Sequence, residues 1–154
     1  MTVWDCDYHG AVCNRIEPNK KTMEIPLKRK LLIVEDDVLQ MYIAKKVLSE
    51  RYDVIAVTSG YEAMNALEND DFSIVLMNVN LGDADMDGMK AMRQMRLNRK
   101  FEHSKIVAVS AFGYLRDWYI SVGFNELIVK PIMSDTIFGL LEEVHENKSI
   151  YCVA

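Results

Sequence analysis

Four short apolar runs in this chain each end on residues that can do chemistry. Residues 31–34 lead into Glu35, Asp36 and Asp37, and residues 72–77 lead into Asn78, with Asn80 two positions on. Residues 106–109 end at Ser110 and Ala111, and residues 126–129 end at Lys130 and Pro131. Carboxylate and carbonyl oxygens are the ligands of a hard divalent cation such as Mg²⁺, which usually enters through one or two carboxylates plus waters. A hydroxyl and an ammonium beside that cation are suited to holding phosphoryl oxygens. Taken singly, a Ser or Lys after an apolar run is ordinary loop. Taken as a set, the four ends point to one polar site.

Such a site needs elements that bring the four ends together. Residues 30–34, 53–57, 72–78, 106–109 and 126–129 read as short, mostly apolar strands of the kind buried on both faces of a parallel sheet. Between them lie helical patterns over 38–51, 61–67, 89–97, within 115–122 and over 135–146. The first carries Leu39, Tyr42, Ile43, Val47 and Leu48 at helical spacing. The second places Ala63, Met64 and Leu67 on one face, and the last turns Ile137, Leu140, Leu141 and Val144 inward, with Ser134 as its expected cap. Five strands alternating with five helices predict a doubly wound α/β sheet with helices on both faces. In that architecture ligands sit beyond the carboxyl ends of the strands, where the strand order reverses.

Composition agrees with this and narrows the function. The 154 residues are 50% hydrophobic and 27% charged, enough for one domain with a sizeable core and too apolar for a disordered chain. No apolar run approaches a membrane span, and Asp5, Asp7 and His9 stand where a signal peptide needs an apolar core, so a cytoplasmic location is expected. A net charge of −5 argues against nucleic acid as a partner. Residues 1–28 read as an N-terminal extension or linker, 29–147 as the domain and 148–154 as a tail. Three cysteines make no disulfide framework. Cys6, His9 and Cys13 lack a fourth ligand and fit no common zinc spacing.

The segments 31–37 (LLIVEDD), 76–82 (LMNVNLG), 86–88 (MDG), 109–111 (VSA) and 129–132 (VKPI) together resemble the receiver domain of bacterial response regulators, the phospho-accepting half of two-component signalling. The resemblance spans about residues 29–147. It implies a strand order of 2-1-3-4-5, a non-enzymatic signalling role, and a histidine kinase, phosphotransfer protein or other signalling protein as partner, with a homodimer as a further option. It also implies that Glu35 and Asp36 hold Mg²⁺, Asp36 directly and Glu35 through water, while the Asn80 backbone carbonyl completes the metal shell. Ser110 becomes the switch hydroxyl, with Ala111 beside it on the phosphoryl side, and Lys130 the ion-pairing lysine before a cis Pro131.

The departures are as informative as the matches. Asn78 occupies the position of the nucleophilic aspartate, and an uncharged amide with a delocalised lone pair cannot attack phosphorus as a carboxylate does. The substitution also removes one negative charge from the metal pocket, which weakens Mg²⁺ binding. The loop over 78–88 is about two residues longer than is usual in the family and has Gly82 where proline is commoner. The 110–130 stretch is about two residues shorter. Leu127 sits where active receivers carry a switching Tyr or Phe. Leu127, Trp118 and Tyr119 fall in the region that forms the family's output face, although Trp118 fits equally as a cap on the core. Two readings of Asn78 remain open: a pseudo-receiver that signals without phosphorylation, or a conventional Mg²⁺-dependent receiver carrying an engineered Asp-to-Asn block. A small Mg²⁺-dependent phosphohydrolase is a more distant third, because it lacks a nucleophile at the right place.

Other motifs read more plainly. Residues 83–88 (DADMDG) copy the first half of a calcium loop, but Gln94 stands where its bidentate glutamate belongs. Met86, Met89, Met92 and Met95 recur at helical spacing and read as core filling. His9, His103 and His145 share no constellation with the strand-end cluster.

Overall fold

The computed structural model describes residues 4–6, 13–15, 28–83 and 85–146, with the side chains at 4–6, 13–15 and 134–136 left out. Two short strands, β1 (Trp4–Cys6) and β2 (Cys13–Arg15), pair antiparallel in a ribbon of their own, which the weak periodicity of this region did not predict. His9, of the Cys6/His9/Cys13 group, and residues 148–154 lie outside the described residues.

The main sheet is parallel and consists of β3 (Lys30–Val34), β4 (Asp53–Val57), β5 (Ile74–Asn78), β6 (Lys105–Ser110) and β7 (Glu126–Val129). Its spatial order is β4-β3-β5-β6-β7, which is 2-1-3-4-5 counted within the sheet, as expected. Alternation along the strands divides the core. Leu32, Val34, Val75, Met77, Ile106 and Ala108 face one layer, while Leu31, Ile33, Ile74, Leu76, Val107 and Val109 face the other. Each fully buried aliphatic side chain of this kind contributes roughly 1.5–3 kcal/mol of apolar burial.

Helices α2 (Gly60–Asn69) and α3 (Gly88–Leu97) cover the first layer through Ala63, Leu67, Ala91, Met92 and Met95, so the methionine row does fill the core. The short α4 (Arg116–Ser121) adds Tyr119 to that layer. Helices α1 (Val38–Leu48) and α5 (Ser134–Glu146) cover the other. In α5 Ile137, Leu141 and Val144 are buried and Leu140 half-buried; the side chain of Ser134, the expected cap, lies outside those described.

Side chains start the helices. Asp37 accepts from the Leu39 and Gln40 N–H groups, both at 2.9 Å, and caps α1. Ser59 accepts from Glu62 N–H while the Glu62 carboxylate takes the Thr58 N–H at 2.7 Å, a reciprocal cap for α2. Asp87 caps α3 through Lys90 N–H at 2.8 Å.

One helix differs from its sequence pattern. In α1 only Ala44 and Leu48 are buried, and Leu39, Tyr42 and Ile43 are left on the solvent side with Val38. The helix sits on the sheet through a small residue and one leucine a turn later, so its wide apolar stripe exceeds what the contact covers.

Candidate functional site

The carboxyl ends of β3, β5, β6 and β7 meet at one edge of the sheet. There an open cleft of about 310 Å³ brings Glu35, Asp36, Asn78, Asn80, Ser110, Ala111 and Lys130 to a common wall. The residues singled out in the sequence for metal and phosphoryl chemistry are therefore neighbours.

Asn78 is the centre of the cluster. It is the last residue of β5 and only 4% exposed. Its Nδ2 donates to Glu35 Oε1 at 2.8 Å and to Asp36 Oδ1 at 3.0 Å, and lies 3.4 Å from the Asn80 carbonyl oxygen. Its Oδ1 accepts from the Asn80 N–H at 3.1 Å. Two carboxylate oxygens on one side and an N–H on the other leave a single sensible orientation for the amide.

The two acids are held from outside as well. Glu35 Oε2 accepts from Lys130 Nζ at 2.7 Å, with both side chains largely buried, and Asp36 Oδ2 accepts from the Gly82 N–H at 3.0 Å. The third acid of the run, Asp37, is spent as the helix cap. The Gln40 and Leu39 amides hold its carboxyl below the usual range. Gly88 brings the start of α3 against the backbone at the end of β5. A Cβ there would fall inside the van der Waals shell of the Asn78 carbonyl oxygen and 2.9 Å from Val79 Cα, so only glycine lets α3 start this close to the strand end. Lys130–Pro131 is a cis peptide, as the resemblance implied.

The oxygens implied as Mg²⁺ ligands do converge, but on the Asn78 amide nitrogen. Glu35 Oε1, Asp36 Oδ1 and the Asn80 carbonyl surround Nδ2 at hydrogen-bond distances. One of the two acids is also shared with Lys130. The amide supplies the positive end of a dipole where an ion's charge would go, and it leaves two carboxylates rather than three to hold one, which weakens the site for a divalent cation. Among the described residues no group of three or more His, Cys, Asp or Glu side chains is placed to hold a metal. The half calcium loop is likewise used locally, with Asp83 accepting from the Asp85 and Met86 N–H groups and Asp87 capping α3.

The three residues expected on an output face separate. Trp118 is 48% exposed, and Phe112 and Tyr114 join it at the surface. Leu127 and Tyr119, at 4% and 3%, are core residues. Leu127 is on the inward side of β7, and Tyr119 points from α4 toward the sheet. The Tyr119 hydroxyl instead reaches Ser110 Oγ at 3.2 Å. No spacing in the sequence signals that contact, because it depends on how α4 is rotated against β6. Gly82 as a donor to Asp36 was also not legible, being set by the path of the long loop.

The family described as the response regulator receiver domain matches residues 31–142. Curated relatives include hybrid signal transduction histidine kinase F of Dictyostelium discoideum, 26% identical over 79% of this chain and 12% of that protein. The yeast transcription factor SKN7 is 26% identical over 90% of this chain and 22% of its own length. The chain thus spans only a small part of these relatives. Among solved structures, a CheY-like receiver domain from Methylobacillus flagellatus is 27% identical, with a TM-score of 0.68 over 76% of this chain and 98% of that one. The receiver domain of sensor histidine kinase PA1611 from Pseudomonas aeruginosa, with a magnesium ion in its active site cleft, has a TM-score of 0.70 at 23% identity over 78% and 99%. A family match across most of the chain, on a parallel sheet in the order 2-1-3-4-5, means that the chain belongs to the response regulator receiver domain family of two-component signalling.

Proposed function

We propose that this receiver signals as a pseudo-receiver, through protein–protein contacts made by one standing conformation and without a phosphoaspartate. The observation that carries the reading is the Asn78 amide, hydrogen-bonded to both acids of the pocket where a receiver needs a nucleophilic carboxylate. The amide is no nucleophile at neutral pH, and its nitrogen satisfies the carboxylates that would otherwise call for a cation. Its partners are a histidine kinase, a phosphotransfer protein or another signalling protein, in keeping with the hybrid kinases among its relatives. Residues 29–147 form the receiver, with 1–28 an N-terminal extension and 148–154 a tail. No helix among the described residues is long and apolar enough to cross a membrane.

A second reading has its own support. Lys130, Ser110, Glu35 and Asp36 share one cleft, which favours a conventional phospho-accepting receiver carrying an engineered Asp-to-Asn block at Asn78. Intact mass after incubation with Mg²⁺ and acetyl phosphate tests both readings, on the unmodified chain beside Asn78→Asp. The expected result is no phosphoryl increment on the unmodified chain, and an increment there refutes the proposal. An increment on Asn78→Asp alone identifies a competent pocket silenced by one side chain. None on either identifies a pocket that has lost the chemistry altogether.

A further inference from the structure

We infer that Tyr119 is the positioning residue for the Ser110 hydroxyl, and that this pair ties the strand-end pocket to the exposed aromatics Phe112, Tyr114 and Trp118. The inference deepens the reading above, since it says how the pocket of a receiver with a fixed conformation is joined to its surface.

Position 127 offers no such link, because Leu127 is buried and has no polar atom. The hydroxyl that meets Ser110 comes from a different element, α4, across the face of the sheet. Tyr119 is enclosed in the apolar layer, with its ring edge-on to Phe124 at 5.8 Å and to Trp118 at 5.1 Å. At 3.2 Å its OH and Ser110 Oγ satisfy one another in a place with little water. Ser110 Oγ also accepts from the Phe112 N–H at 3.2 Å. A serine hydroxyl has one donor and two acceptor sites. With Phe112 and Tyr119 bound, its orientation is largely decided by these two.

The two bonds hold both ends of one surface segment. Phe112 begins it and Tyr119 closes it, and Tyr114 and Trp118 are exposed between them, with Phe112 and Tyr114 in edge contact at 5.9 Å. Moving the Ser110 hydroxyl therefore frees the backbone at Phe112 and the ring that backs Trp118 together. A tyrosine that only packed would touch Trp118 through its ring but would have no bond to Ser110.

The test uses the full chain with Trp4→Phe, which leaves Trp118 as the sole tryptophan. Acrylamide quenching of Trp118 is measured in this parent, Ser110→Ala, Tyr119→Phe, the double variant and Ser110→Thr, each checked as folded by its thermal transition. Each single loss of a hydroxyl is expected to raise the quenching constant about twofold, with the double variant no higher than either single, the non-additivity of groups that act as a unit. Ser110→Thr, which keeps the hydroxyl, is expected to match the parent. Unchanged quenching in the single variants, additive effects in the double, or a threonine variant that behaves like alanine would each overturn the inference. Because no phosphoryl donor is present, these outcomes are independent of whether Asn78 blocks phosphorylation. Hydrogen exchange at residues 111–119 gives a second readout if one variant proves too unstable for quenching. Faster exchange in Ser110→Ala or Tyr119→Phe supports the link, and unaltered exchange in both refutes it.

Discussion

Replacing Asn78 by aspartate should make this protein depend on a divalent cation for its stability. The amide nitrogen donates to two carboxylates, at 2.8 and 3.0 Å, in a site where Asn78 and Glu35 are both buried. Hydrogen bonds to charged groups contribute about 1.5–3 kcal/mol each, and the aspartate removes both donors at once. It also sets a third carboxylate against the first two, with Lys130 the one cation lining the cleft among the described residues. Unit charges about 4 Å apart interact by roughly 4 kcal/mol at an effective dielectric of 20, although uptake of a proton by one member of the cluster relieves part of this. A net loss of about 3 kcal/mol in a chelating buffer is a reasonable expectation. For a domain of this size that corresponds to a fall in Tm of roughly 10 °C.

A cation held by three carboxylates should reverse the loss. At one hundred times its Kd, a ligand specific to the native state contributes about 2.7 kcal/mol. Thermal unfolding followed by far-UV circular dichroism, in EDTA and in millimolar Mg²⁺, is the assay. The unmodified chain should melt at the same temperature in both buffers, while Asn78→Asp should melt low in EDTA and recover in Mg²⁺. Equal stabilisation of the two proteins by Mg²⁺ would refute the argument that the amide stands in for the ion. So would an Asn78→Asp form as stable as the parent in EDTA.

Gly88→Ala places a methyl against the Asn78 carbonyl and Val79, and should destabilise by about 3 kcal/mol through overpacking, read from the urea midpoint. Ser59→Ala removes the α2 cap and should cost about 1 kcal/mol in the same assay. His145 gives a pH signature. Its Nδ1 is buried with no hydrogen-bond partner among the described residues, and desolvation, aided by Arg29 and Lys105, lowers its pKa below the ordinary 6.5. The unfolded chain then binds the proton more readily, so the urea midpoint should fall as pH drops below about 6.5, and His145→Gln should flatten that dependence.

The sequence exposed the strand ends more reliably than the contacts between them. Period and length placed all five main strands and, through the rule that ligands gather at carboxyl ends, put Glu35, Asp36, Asn78, Ser110 and Lys130 into one cleft. Exposure along helices was harder to read. The α1 stripe of Leu39, Tyr42 and Ile43 has the spacing of a buried face yet stays in solvent, because burial depends on where the next layer ends. The reverse error applies to Tyr119, whose neighbour Trp118 is half exposed while Tyr119 itself is in the core. Adjacent aromatics on a short helix differ by about 100° in direction, and only the docking of α4 on β6 decides which turns inward. Asp37 shows a third limit, since a run of three acids says nothing about which member serves as the helix cap.

These internal contacts also bear on how such a domain can be regulated. A partner or ligand shifts a conformational equilibrium only by its differential affinity for the two states. In an aspartate receiver, charge added at the pocket supplies that difference. Here the pocket's polar groups are satisfied from within the chain: the Asn78 amide binds both acids, Lys130 binds Glu35, Gly82 binds Asp36, and Tyr119 binds Ser110. Opening the buried ones, Asn78 to Glu35 and Tyr119 to Ser110, costs a buried hydrogen bond each. On the pseudo-receiver proposal, control of such a chain would fall to its partner, whose concentration and affinity would set occupancy, with the pocket holding the presented surface in a single form.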